Sequence, residues 1–294
     1  MLIQLIFNSI VSGLLLALVA VGFNLIFNTT KVFHLAHGAV YVCGAYVLIQ
    51  CQTLLQRTTV VSWIFSLVLS LLLVVVFAML IELLVYRPLS KRNAGQAITL
   101  ISSMGVYILL VNLIALLFGN ETKFLDPGLG DSISFANIII VPIQAVQLII
   151  SVILLGLLLY ISKTKWFLQV RAMMSNETIA SVIGVDTKAI RLFAISLGSF
   201  LAAIAAILRI YDTGIDPQAG MTITLSAAVA VIIGGNGSIS GTIIASLLIA
   251  FLQTTTEWFL SAQWKEGMTF LLLIIVILWR TEGIVSFKMR VEEK

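Results

Sequence analysis

The chain has 294 residues, 60% of them hydrophobic and 10% charged, with a formal net charge of +4 and a mean hydropathy of +1.13. Soluble domains run at about 45–50% apolar and about 25% charged, so this composition excludes an ordinary soluble enzyme and implies a polytopic membrane protein. At roughly 20 residues per span the chain supplies about eight to ten transmembrane helices, so 1–294 is expected to form a single all-α transmembrane domain.

The first apolar stretch, Leu2–Phe27, has no charged residue and lacks the basic leader and small-residue cleavage site of a removable signal, so it reads as a retained span. Further spans are expected near 36–55, 60–86, 96–118, 138–162, 188–209, 222–234, 240–260 and 266–280, bounded by Gly, Pro, Asn and charge. With the amino terminus outside, thirteen of the seventeen Lys and Arg fall on the cytoplasmic side, among them Lys31, Arg87, Lys163, Lys288, Arg290 and Lys294. Arg57, Lys123, Arg209 and Lys265 fall outside, and the positive-inside rule favours this orientation.

Polar groups at membrane depth are few. His34 and His37 lie three residues apart at the start of the second span, where intramembrane His is a candidate for the substrate pathway or for helix-to-helix hydrogen bonding. Cys43 and Cys51 are eight residues apart in a predicted helix, too far along the axis to bond to each other. Glu82 precedes Tyr86-Arg87-Pro88 by one turn and reads as a partner of headgroup-level cations. Asn24, Gly38, Ser102 and Ser103 complete the candidate pathway, which suits a neutral or zwitterionic solute better than an ion.

Residues 163–191 form a long charged stretch between apolar spans and carry Lys163, Lys165, Arg171, Lys188 and Arg191. Asn176 is placed to cap a short helix, Ile179, Ala180 and Ile183 give that helix an apolar face, Gly184 ends it, and Asp186 starts the next. A hairpin between spans needs only a few residues, so this length points to a docking element or to an amphipathic linker on lipid headgroups. The span 188–209 carries Gly198, Ala202 and Ala206 at four-residue spacing, a stripe that lets membrane helices approach closely. After it, 222–234 runs into Gly234-Gly235-Asn236-Gly237-Ser238, which cannot continue as a lipid-facing helix. Either a broken helix with a gating role or a tight turn between packed helices satisfies that constraint.

Neither a phosphate-cradling Gly-x-x-x-x-Gly-Lys-Ser/Thr string nor a His-Glu-x-x-His or Gly-x-Ser-x-Gly signature occurs, so no catalytic activity and no cofactor is expected of the chain itself. Its basic residues are dispersed along membrane edges, where lipid headgroups explain them and nucleic acid is not needed.

Four strings in order, Phe33-His34-Leu35-Ala36-His37-Gly38-Ala39-Val40-Tyr41, Tyr86-Arg87-Pro88-Leu89, Arg171-Ala172 with Asn176, Ala180 and Gly184, and Gly234 to Gly241, closely resemble the branched-chain amino-acid ABC transporter permeases, specifically the shorter, H-type subunit. The resemblance implies a permease of a binding-protein-dependent importer in a bacterial or archaeal cytoplasmic membrane. Its implied partners are a second homologous permease subunit, two ATP-binding cassette subunits and an extracytoplasmic solute-binding protein. Arg171, Ala172, Asn176, Glu177, Ala180 and Gly184 would then dock on the ATPase, and Gly234, Gly235, Asn236 and Gly237 would form the broken-helix or gating segment. The family often has Asn at the position of His34, Glu at that of Ala39 and Pro at that of Ser240. Relatives carrying urea or short amides share the scaffold, and an ion-coupled secondary transporter is the competing class.

Overall fold

The structure, a computed structural model, describes residues 2–55, 59–92, 94–126, 128, 132–135, 138–280 and 283–285. Arg57, expected outside, and the tail cations Lys288, Arg290 and Lys294, expected inside, lie beyond the described residues.

A mostly apolar run with no charged residue makes α1 (Leu2–Thr30). It is followed by α2 (His37–Leu54), α3 (Val60–Ile81), a single π-turn (Glu82–Tyr86) leading into α4 (Arg87–Lys91), and α5 (Gln96–Phe118). A hairpin of β1 (Ile133–Phe135) and β2 (Ile138–Ile140) precedes α6 (Pro142–Ile161). Two short helices, α7 (Phe167–Ser175) and α8 (Glu177–Val182), then lead into α9 (Thr187–Ile210), α10 (Ala219–Gly234), α11 (Ile239–Phe259) and α12 (Lys265–Trp279). Among the described residues seven helical segments are long and apolar enough to cross a membrane, and α2 and α10, of 18 and 16 residues, occupy the other two expected spans.

Three boundaries differ from the sequence expectation. The third span continues through the π-turn to Lys91. Residues 138–140, read as span, are instead the second strand, because Pro142 has no N–H to give a preceding turn and sits where a helix begins. The tenth helix starts at Ala219, where the Asp216 carboxylate accepts the Gln218 and Ala219 amides at 2.9 and 3.0 Å.

Burial sorts the helices into an inner and an outer set. The most apolar window of α1 is 78% buried and that of α9 67%, against 28% for α5 and α6 and 6% for α12. α1 is the axis, packed against α6, α9, α10 and α11. Its contact with α9 is close because Gly22 faces Gly198: a Cβ on Gly22 would sit 2.6 Å from the Gly198 carbonyl oxygen. Gly198, Ala202 and Ala206 are all buried, so the small-residue stripe is a packing seam.

Most of the segment 222–241 is buried, with Thr222, Ile232, Asn236 and Ser240 exposed, and its helix is interrupted after Gly234. Gly235 turns the chain at φ +98°, a backbone state that side chains with a Cβ rarely adopt, and Ser238 caps α11 by accepting the Gly241 amide at 3.0 Å. A Cβ on Gly234 would lie 2.5 Å from both the Gly241 carbonyl carbon and the Thr242 nitrogen. The geometry is thus a tight turn between two helices packed at glycine distance. Ile284 and Val285 return to it, donating their amides to the Ile233 and Gly234 carbonyls at 2.7 and 3.2 Å and satisfying acceptors that the helix end leaves free.

Candidate functional site

The two ends of α9 lie on opposite faces of the protein, about 36 Å apart for its 24 residues. At the end carrying Arg209 a cavity of about 850 Å³ opens among six helices. Each helix supplies part of its wall: Val11 from α1, Tyr41 from α2, Arg209 from α9, Ser226 from α10, Gln253 from α11 and Glu266 from α12. With the amino terminus outside, as the distribution of Lys and Arg favours, this is the extracytoplasmic mouth.

The wall carries four carboxylates, Asp212, Asp216, Glu257 and Glu266, and two cations, Arg209 and Lys265. Lys265 is ion-paired with Glu257. Arg209 is in polar contact with the buried Tyr41 and within electrostatic reach of Asp212 and Asp216. Its Nε is buried and has no hydrogen-bond partner among the described residues. Burial raises the Asp212 carboxyl above its ordinary pKa, against the opposing pull of a Gln147 hydrogen bond and of the Arg209 charge.

The loop bearing the two aspartates is firmly held. Lys123 and Ile215 exchange backbone hydrogen bonds at 2.9 Å, and the Asp212, Thr213 and Gly214 amides all donate to the Arg209 carbonyl. Tyr211 accepts hydrogen bonds from Gln52 at 2.7 Å and from Trp63 at 3.1 Å, which pins the loop to α2 and α3.

Beneath the cavity floor at Val19 and Tyr41 lies a layer of buried polar groups, and most of the expected pathway residues are in it. His37 contacts the Val19 carbonyl at 3.3 Å, and His34 contacts the Tyr86 hydroxyl at 2.7 Å. Tyr86 donates to Ser103 at 2.9 Å, and Ser103 accepts the Ala36 amide at 3.0 Å. Asn24 donates to Thr242 at 2.6 Å, and Gly38 packs against the backbone of Gly220. Ser102 bonds only back to the Ile98 carbonyl of its own helix in the described contacts. α2 begins at His37 and leaves His34 in the preceding turn, yet the two rings lie with centroids 5.7 Å apart. None of these six residues lines the large cavity.

At the opposite face, Asn176 caps α8 by accepting the Ile179 amide at 3.1 Å, and Gly184 ends it at φ +88°. Asp186 then caps α9 through the Lys188 and Ala189 amides. Ala180 is buried, while Ile179, Val182 and Ile183 are exposed, so the apolar face of the short helix points away from the helix bundle. Phe167, Val170 and Met173 anchor α7 in the bundle, and Lys31 donates to the Met174 carbonyl at 2.7 Å. Next to Met174 stands Gly237, so the tight turn after α10 and the 163–188 segment meet. Glu82 is buried and ion-paired at 2.9 Å with Arg191, one of the cations expected on the cytoplasmic side, because the first turns of α9 pack against the end of α3.

The sequence matches the family model of the branched-chain amino acid transport system permease component over residues 5–277. The chain belongs to this family. It is 28% identical to the high-affinity branched-chain amino acid transport system permease protein LivH of Salmonella typhimurium, over 97% of this chain and 95% of that protein. BraD, the corresponding permease protein of Pseudomonas aeruginosa, is 29% identical over the same shares. More distantly, the autoinducer 2 import system permease protein LsrC of Yersinia enterocolitica is 27% identical over 61% of this chain and 52% of that protein. The solved structure of PsaBC from Streptococcus pneumoniae in complex with Fab shares the fold at a TM-score of 0.51 and 14% identity, covering 92% of this permease and 90% of that chain.

Sequence reading of this permease counts Arg209 only as an outer-side charge and leaves Asp212, Asp216, Gln253 and Glu266 out of the site. One signal was available: Arg209 follows seventeen uncharged residues of its span and is itself followed within seven residues by two acids.

Proposed function

We propose that this permease is a membrane subunit of an ABC importer for branched-chain or other apolar amino acids, working with a second permease subunit, two ATPase subunits and an extracytoplasmic solute-binding protein. It is a multi-pass protein of a bacterial or archaeal cytoplasmic membrane. The family match over nearly the whole chain carries the reading. The mixed charge of the outer cavity supports an amino acid over urea or a short amide, which offer no separated charges to such a wall. In this reading the layer of His34, His37, Asn24 and Ser103 closes the way below the cavity. The glycine turn at 234–237 moves with the 163–188 segment when the ATPases close, and Glu177 and Arg171 sit at the edge of the docking surface.

Uptake into vesicles containing the whole transporter should require ATP and the binding protein, and should hold its rate when the proton gradient is collapsed at constant ATP. Uptake that survives without ATP but vanishes with the gradient would place the protein among secondary transporters. A second expectation concerns docking. Cys introduced at Ser175 or Thr178, both exposed, should cross-link to the ATPase subunit and react with impermeant thiol reagents only from the cytoplasmic side. Labelling of those positions from outside the cell would overturn both the orientation and the docking role.

A further inference from the structure

We propose that the outer cavity of this chain holds a subsite for the main-chain charges of a free amino acid, with Arg209 receiving the α-carboxylate and Asp212 and Asp216 receiving the α-ammonium. The inference rests on the amino-acid reading above and names the side chains that would enforce it.

Three observations carry it. First, the donor is incompletely satisfied. Arg209 touches Tyr41, but its Nε is buried without a hydrogen-bond partner among the described residues, a condition that a planar, bidentate carboxylate relieves. Second, the acceptors are held in place before any ligand arrives. One Asp216 oxygen, Oδ1, caps α10 by accepting the Gln218 and Ala219 amides, and the Asp212 Oδ2 accepts from Gln147 at 3.4 Å. The backbone bridge of Ile215 to Lys123 fixes the loop between them, so little ordering cost remains to be met on binding. Third, the rest of the cavity is amphiphilic in a matching way. Val11, Leu15, Leu16 and Val19 of α1, with Ile223 of α10, line it with hydrocarbon suited to an aliphatic side chain. A volume of about 850 Å³ is ample for a free amino acid with ordered water. The excess of carboxylates over cations on the wall disfavours a carboxylic acid that lacks the ammonium.

The test uses the intact transporter complex in lipid nanodiscs without the binding protein, so that the selectivity of that partner does not mask that of the cavity. Three probes share one aliphatic skeleton: L-leucine, L-leucinamide, which lacks the carboxylate, and 4-methylpentanoate, which lacks the ammonium. Wild type should bind L-leucine at least about tenfold more tightly than either analogue, the loss expected when a charge-assisted contact goes unmade. Arg209→Gln should erase the preference for leucine over leucinamide, while Arg209→Lys should restore part of it. Asp212→Asn should selectively erase the preference over 4-methylpentanoate. It carries the same test if Arg209→Gln fails to assemble with the ATPase. A purely structural Arg209 would lower all three affinities or none and leave the ratios unchanged, which overturns the proposal. So does a wild type that binds leucinamide as well as leucine. If the ratios are unchanged while ATP-dependent uptake of leucine persists, the subsite falls and the importer reading stands. Absence of ATP-dependent uptake in wild type removes both.

Discussion

Replacing Glu82 with Ala should be among the most destabilising single changes in this protein. The carboxylate lies buried at 2.9 Å from Arg191, and its removal leaves a guanidinium, itself buried, whose remaining polar contacts among the described residues are Ser90 at 3.5 Å and Glu177 at 3.9 Å. Stranding one member of a buried pair costs about 3–5 kcal/mol, whereas replacing both members with apolar groups of similar size is often close to neutral. Thermal unfolding of the purified transporter complex should therefore show a large fall for Glu82→Ala and a much smaller one for the double variant Glu82→Leu with Arg191→Met. Glu177→Ala is a useful contrast, because its longer, half-exposed contact with Arg191 is screened by water and should contribute less than about 1 kcal/mol. Equal losses for the Glu82 and Glu177 variants would mean that burial does not govern this pair.

Gly234→Leu should have an effect of similar size for a steric reason. The first atom of any side chain there would be placed 2.5 Å from backbone atoms of Gly241 and Thr242, and backbone cannot rotate away as a side chain can. Overpacking usually costs about 1–3 kcal/mol, and a clash with an immovable main chain belongs at or above the upper end of that range. The expected result is a permease that no longer co-purifies with its partners. Gly105→Leu supplies the control: the same bulk is added to a helical glycine with open space around it, and assembly should be normal. If the two variants assemble equally well, the close contact of α10 with α11 is not essential.

Local chemistry was readable from the chain, and long-range pairing was not. Asn176, Gly184 and Asp186 act as the cap, stop and cap their residue types imply, since each acts on backbone groups within a few positions of itself. The spans also fell close to their expected limits, because length and hydropathy are properties of contiguous residues. By contrast, Glu82 and Arg191 are 109 residues apart, and nothing near either one announces the other. The outer cavity needs one wall from each of six helices, so its charged residues look like scattered surface charges until the helices are assembled. His34 and His37 behave like the local features: three residues apart, their rings lie with centroids 5.7 Å apart, although only His37 belongs to the helix.

The placement of Gly198 halfway along α9 has a mechanical consequence. Backbone-to-backbone contact with Gly22, flanked by the Ile26 side chain, brings the two helices to glycine distance at that point, so the contact is placed as a fulcrum with an arm of about 18 Å on either side. One arm ends at Arg191 and the Asp186 cap, the other at Arg209. A tilt of about 5° about such a pivot carries each tip about 1.6 Å, in opposite directions, by the helix rise alone. That travel is comparable to the helix shifts of about 1–2 Å that accompany many switching transitions, and it exceeds what the hydrogen bonds around Arg209 can absorb without changing partners.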